Sequence, residues 1–238
     1  MVHWDKHVHP HEALTTLAPG LWQVTGSLAR GPMPRNMHLW RAPCGGILVH
    51  SAICLNDAGM AAIDALGPVQ WIVVPCALHR ADARPYQERY PQAQLLCPSA
   101  ARKKVEEVVT VNEVCEVILP TLGIEVLTPH GLKPFELHLL CPLENGTQVL
   151  LMTDALFNLA PMPPSGLGGL LLKCMGSVGP LGMTRIGRWL LLTDRVLWRQ
   201  YLEQLAERPE ISTLCVAHGA AVTKDVRIAL QNAARQLK

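Results

Sequence analysis

Four short apolar runs in this chain each lead into a side chain able to bind a metal ion. Trp71 to Pro75 (WIVVP) leads to His79, Glu125 to Pro129 (EVLTP) to His130, Val149 to Thr153 (VLLMT) to Asp154, and Thr213 to Ala217 (TLCVA) to His218. Short runs rich in Val, Ile and Leu and bounded by turn residues read as buried strands. A polar residue just past such a strand sits where loops converge over a sheet, so all four can face one cleft. A lone histidine after a strand is ordinarily structural. Four positions in the order His, His, Asp, His constrain the chain far more, and histidine and aspartate are what zinc, iron or manganese accept.

The segments between these strands supply the rest of a layered α/β architecture. Leu21 to Thr25 alternates apolar and polar residues, and His38–Arg41 and Ile47–His50 flank a Gly45-Gly46 turn, which predicts a hairpin. Helices are expected over Ala58–Leu66, stopped by Gly67-Pro68, over Ala83–Tyr90, and over Ser99–Val108 with Ser99 as N-cap. Strands follow at Ile124–Leu127, Glu136–Leu140 and Gln148–Thr153, the last two joined by Glu144-Asn145-Gly146. Residues 184–207 read as one helix with Trp189, Leu190, Val196, Leu197, Tyr201 and Leu205 as its apolar stripe, and Lys224–Gln236 as the last helix. Strand blocks alternate with helices in two halves of similar logic. At 238 residues the chain is long enough for one large domain, expected over 17–238 after a mobile, His-rich terminus at 1–16.

Composition narrows the function classes. With 49% hydrophobic and 17% charged residues the chain is not generally disordered. A formal charge of +2, and no stripe alternating basic with aromatic residues, argue against nucleic acid. Arg102-Lys103-Lys104 reads as the solvated face of a helix. The opening MVHWDKHVHPHEAL has no apolar signal core, which leads us to expect a cytoplasmic protein. The eight cysteines are scattered with no CxxC pair, as buried thiols in a reducing compartment would be, and none is assigned a role. Gly166 to Met183 is apolar, but Lys173 and its glycines rule out a membrane span. Segment 155–183, with Met162, Pro163 and Pro164, is expected to be an apolar insert that packs, contacts a second subunit in a homodimer, or forms a lid. The cluster His3, His7, His9 and His11 reads as solvated, with loose metal capture as the other reading. Asn36 and His38 read as surface residues beside the hairpin, within reach of a cleft mouth.

From about Leu17 to about Val226 the chain resembles the metallo-β-lactamase superfamily. The resemblance rests on GLWQVTGSLARGPMPRNMHLWRAPCGGILVHSAICLN in the place of the family's first strands, VLTPHG at its third-motif histidine, LLMTDALFN at its bridging aspartate and CVAHGAAV at its last histidine. It implies a four-layer αββα sandwich and hydrolytic chemistry. It also implies a departure, because the family's His-x-His-x-Asp-His reads here His79-Arg80-Ala81-Asp82-Ala83-Arg84. Only His79 stays in register, so one ion is expected rather than two. His79, His130 and Asp154 would hold it, with His218 as a further ligand or proton carrier. Zinc is expected, with iron or manganese as alternatives and a metal-free site as the remaining one. Asp82 would orient a water or act as general base, and Arg84 would clamp an anionic substrate in place of the second ion. The resulting expectation is a hydrolase of an ester, thioester, lactone or phosphoester. Its alternative is a metal-poor protein that binds a small anionic ligand or a protein partner.

Overall fold

The computed structural model describes residues 3–28, 33–160, 166–174 and 176–237. The chain divides into two compact units, residues 1–29 with 35–124 and residues 30–34 with 125–238.

The first unit is built on a seven-stranded sheet whose order follows the sequence. Its strands are β1 (Thr15–Ala18), β2 (Leu21–Ser27), β3 (Pro34–Arg41), β4 (Ile47–His50), β5 (Val69–Val73), β6 (Gln94–Cys97) and β7 (Glu113–Val114). β3 and β4 form the expected antiparallel hairpin with His38 opposite His50, and β4 to β7 run parallel. Parallel neighbours need crossovers. These are supplied by α1 (Asp57–Asp64), α2 (Ala83–Arg89) and α3 (Arg102–Val105), and α4 (Cys115–Ile118) follows the last strand. α1 starts where the Asn56 side chain accepts the Gly59 N–H at 2.9 Å, and the chain leaves it through Gly67, whose φ of 141° suits glycine. Met37, Leu39, Val49, Ile63, Ile72 and Leu95 fill the core, each such side chain contributing about 1.5–3 kcal/mol by leaving water.

Trp4 donates from Nε1 to the Leu55 carbonyl at 2.9 Å and its ring packs 5.5 Å from Tyr86. His11 Nε2 accepts the Asn56 N–H at 3.1 Å. A half-buried aromatic with its one donor satisfied tethers the segment at these contacts.

The second unit carries a four-stranded sheet in the order β11-β10-β9-β8, from β8 (Glu125–Leu127), β9 (His138–Pro142), β10 (Gln148–Leu151) and β11 (Ile211–Cys215). The β9–β10 turn is the expected one, with Gly146 at φ 80° and Asn145 Oδ1 accepting the Thr147 N–H at 3.1 Å. β10 and β11 are parallel, which brings the carboxyl ends of both strands side by side. Helices α5 (Gly166–Cys174), α6 (Arg185–Leu190), α7 (Arg195–Ala206) and α8 (Val226–Arg235) complete the unit. Leu140, Leu150, Trp198, Leu202, Leu214 and Leu230 form its core.

Residues 184–207 are two helices, not one. Thr184 caps α6 through Gly187 N–H, and Asp194 caps α7 through the N–H groups of Val196 and Leu197. Between them Leu192 bridges to Leu132, and Thr193 and Asp194 donate to the Gly131 carbonyl. The new cap rotates the helix, so Trp198, Tyr201, Leu202 and Leu205 are buried while Trp189, Leu190, Val196 and Leu197 face water. Ser99 does not cap a long helix either, because its hydroxyl is taken by Glu116 at 2.7 Å. All eight cysteines are free thiols. Met162, Pro163 and Pro164 lie outside the described residues. Among the described residues no helix is long and apolar enough to cross a membrane.

Candidate metal centre

In the second unit the parallel pairing of β10 and β11 presents Asp154 and His218 together, with His218 Nε2 3.1 Å from Asp154 Oδ1. His218 Nδ1 lies 2.6 Å from the Pro34 carbonyl, which only accepts, so Nδ1 carries a proton. A neutral ring would then turn the Nε2 lone pair onto a carboxylate oxygen. The contact calls for a positive charge between them, either a second ring proton or a metal ion. An imidazole held through Nδ1–H by a backbone carbonyl is the usual bearing of a metal-ligating histidine. The Phe157 ring stacks 4.6 Å from the imidazole. Gly219 has φ 106°, and a Cβ there would stand 2.1 Å from the Asn158 carbonyl oxygen. Only glycine allows the chain to leave His218 by this path.

The loop bearing Asp154 hangs on a buried glutamate. Glu136 accepts N–H groups from Thr153 at 2.9 Å, Asp154 at 2.6 Å and Ala155 at 3.2 Å. Its other neighbour is buried His138, whose Nε2 lies 3.2 Å away and whose Nδ1 lies 2.9 Å from the Tyr201 hydroxyl. Burial pushes the Tyr201 phenol well above its usual range, so it stays a neutral partner. No motif marked Glu136 in the sequence. The available signal was an acidic residue two positions before His138, at the head of an apolar run.

In the first unit His79 follows β5 as expected, half-buried in a turn closed by its N–H on the Cys76 carbonyl. Ser51 Oγ engages His79 Nδ1 at 2.7 Å, which fixes the ring. Ser51 holds a left-handed backbone, φ 61°, uncommon for a residue with a side chain. Cys76 is buried, and its sulfur and a His79 ring nitrogen lie within 4.8 Å. The sequence reading gave cysteine no role. The cue it passed over was the position of Cys76 at the same strand end as His79.

The other three expected site residues are Asp82, Arg84 and His130. Asp82 is buried, with one oxygen shared between the Arg35 guanidinium and the Cys54 N–H and the other 3.3 Å from His7 Nδ1. It neutralises a buried arginine. Arg84 is 62% exposed and pairs with Glu88 one helical turn on, beside a groove lined by His7, Leu78 and Arg80. His130 is exposed, its ring 5.9 Å from that of Tyr201, and among the described residues it belongs to no group of three donors close enough to share an ion. Gly131 after it has φ 80° against the start of α7, which turns the histidine outward. Asn36 and His38, expected at the surface, are fully buried, with His38 Nε2 3.1 Å from Gln23 Oε1. Desolvation lowers the His38 pKa to about 3 and holds His50 well below its usual value, so both are neutral.

No protein-family model matches the chain, and no curated protein matches it. Solved structures do. The mono-zinc form of the metallo-β-lactamase FIM-1 from Pseudomonas aeruginosa superposes with a TM-score of 0.60 at 12% identity, covering 97% of each chain. A metallo-β-lactamase from Hirschia baltica gives 0.61 at 14% identity, over 94% of this chain and 98% of that one. One from Erythrobacter litoralis, with β-mercaptoethanol in its active site, gives 0.60 at 14% identity, over 94% and 96%.

Proposed function

Because the chain has the metallo-β-lactamase fold, we propose that it is a metal-dependent hydrolase with a single ion, acting on an ester, thioester, lactone or phosphoester. The observation that carries this reading is the Asp154–His218 contact, in which a ring nitrogen opposes a carboxylate oxygen while the other ring proton is spent on a carbonyl. Asp154 and His218 are two of the proposed ligands. In the first unit the candidate donors are His79 and, beside it, Cys76. Nitrogen, thiolate and carboxylate donors suit zinc better than magnesium or calcium.

A zinc ion in such a setting supplies a hydroxide near neutral pH and polarises the bond to be cleaved. The chain's own residues do the rest. Ser51 and the Pro34 carbonyl fix the rings of His79 and His218, and Glu136 fixes the Asp154 loop. Orientation from such outer partners is typically worth 10–100-fold in metal affinity. Arg84, the expected anion clamp, is engaged by Glu88, and Arg80 near it by Glu107.

The test is hydrolysis of a panel of aryl esters, thioesters, lactones and phosphodiesters by the full chain. Turnover should vanish in chelator, return with zinc, and be absent from a folded Asp154→Ala variant. Turnover that survives both treatments rejects the proposal.

A further inference from the structure

Helices α5 and α6 and the start of α7 turn large apolar side chains outward. Leu167 and Leu170, Trp189 and Leu190, and Val196 and Leu197 are all exposed, Leu167 by 84% and Trp189 by 81%. Single exposed leucines are ordinary, whereas a succession of six that includes a tryptophan marks a contact surface. The helices follow one another closely. A Cβ on Gly176, just past α5, would stand 2.7 Å from the Cγ of Arg185 at the head of α6, and only four residues separate α6 from α7. Between 167 and 199 the chain carries Lys173, Arg185, Arg188, Arg195 and Arg199 against Asp194 alone, a net +4 where the whole protein has +2; Arg199 faces Glu203 one turn on, and Arg188 donates to the Gln236 carbonyl. The one acid is committed to the α7 cap.

We propose that this face docks on an anionic phospholipid surface, with Trp189 and the leucines entering the headgroup region and the arginines meeting lipid phosphates. Apolar side chains with a tryptophan, interspersed with basic ones and with almost no acid, are what such a surface binds. A second copy of the chain fits less well. A two-fold contact would bring two copies of this net-positive patch together with almost no acid to compensate them. A lid fits no better, since Leu167 and Leu170 point to water. The inference is independent of the metal reading.

Co-sedimentation of the full chain with vesicles of phosphatidylcholine alone, and of phosphatidylcholine with phosphatidylglycerol, tests it. Binding is expected only with phosphatidylglycerol and should weaken as salt is raised. Arg185→Gln with Arg188→Gln should cut partitioning roughly thirtyfold, at about one lipid-facing charge's worth for each arginine. Trp189→Ala should lose binding yet keep the wild-type melting temperature, because its side chain touches solvent. A blue shift of tryptophan emission on the anionic vesicles, absent from Trp189→Phe, is the matching signature. No association with anionic vesicles, or equal binding by Trp189→Ala, overturns the proposal. So does a solution dimer that Trp189→Ala dissolves without vesicle binding, or binding to duplex DNA alone.

Discussion

Replacing Glu136 with glutamine removes a charge and one acceptor from the second unit while leaving its volume unchanged. In the wild type one carboxylate oxygen takes the Thr153 N–H and His138, and the other takes the N–H groups of Asp154 and Ala155. The amide can serve only one of those two sets. Placed to keep Asp154 and Ala155, it turns its NH₂ onto the Thr153 N–H, a buried donor then left without an acceptor. A buried unmade hydrogen bond costs about 1–3 kcal/mol, and the remaining bonds lose the strength that the negative charge lent them. The expected loss is roughly 2–4 kcal/mol, a large part of the ~5–15 kcal/mol that holds a domain together. For a chain of this length that lowers the melting temperature by roughly 5–15 °C. Urea denaturation of metal-free protein is the assay, with exposed Glu12→Gln as a control expected within about 0.5 kcal/mol of wild type. A Glu136→Gln loss no larger than the control's refutes the argument that this glutamate holds the Asp154 loop.

Arg35→Ala strands Asp82 as a buried charge and should cost about 3–5 kcal/mol, while Arg35→Leu combined with Asp82→Leu should cost far less. A double-mutant cycle showing additive losses contradicts the pairing. His38 is neutral in the fold, with a pKa near 3 against 6.5 when unfolded, so the stability it confers is complete above pH 6.5 and drains away as pH falls towards 3. The slope is about 1.4 kcal/mol per pH unit for this one histidine. His38→Gln should flatten the acid limb of stability measured in chelator, and parallel limbs for the two proteins count against it. In cobalt-substituted protein Cys76 should give a thiolate charge-transfer band in the near ultraviolet that Cys76→Ser abolishes. An unchanged spectrum in the variant removes Cys76 from the ligand set.

The fold was legible because its signals are local. The Gly45-Gly46 and Glu144-Asn145-Gly146 turns, the apolar runs of β5, β10 and β11, and the stop at Gly67 each act within a few residues. Asp154 and His218 were legible for the same reason, since each follows a buried strand and those strands are parallel neighbours. His130 satisfied the same local rule and failed, because Gly131 turns the chain against α7 and sends the ring outward. Asp82 and Arg84 were judged by register with a motif, and their partners Arg35 and Glu88 are invisible to register. Glu136 escaped notice because its three hydrogen-bond donors lie 17 to 19 residues downstream. The helix break at 191–194 was within reach. Thr193-Asp194 is a capping signal inside an apolar stretch, and reading it would have moved Trp189 and Leu197 from core to surface.

The central claim is that Asp154 and His218 meet over a cation. Elemental analysis of untagged protein purified without chelator, beside Asp154→Ala and His218→Ala, tests it most directly. A single equivalent of zinc per wild-type chain, lost from both variants while each keeps its circular dichroism, is the predicted result. Wild-type protein that neither carries an ion nor takes one up on titration with zinc contradicts the claim, and so does an ion retained in both variants.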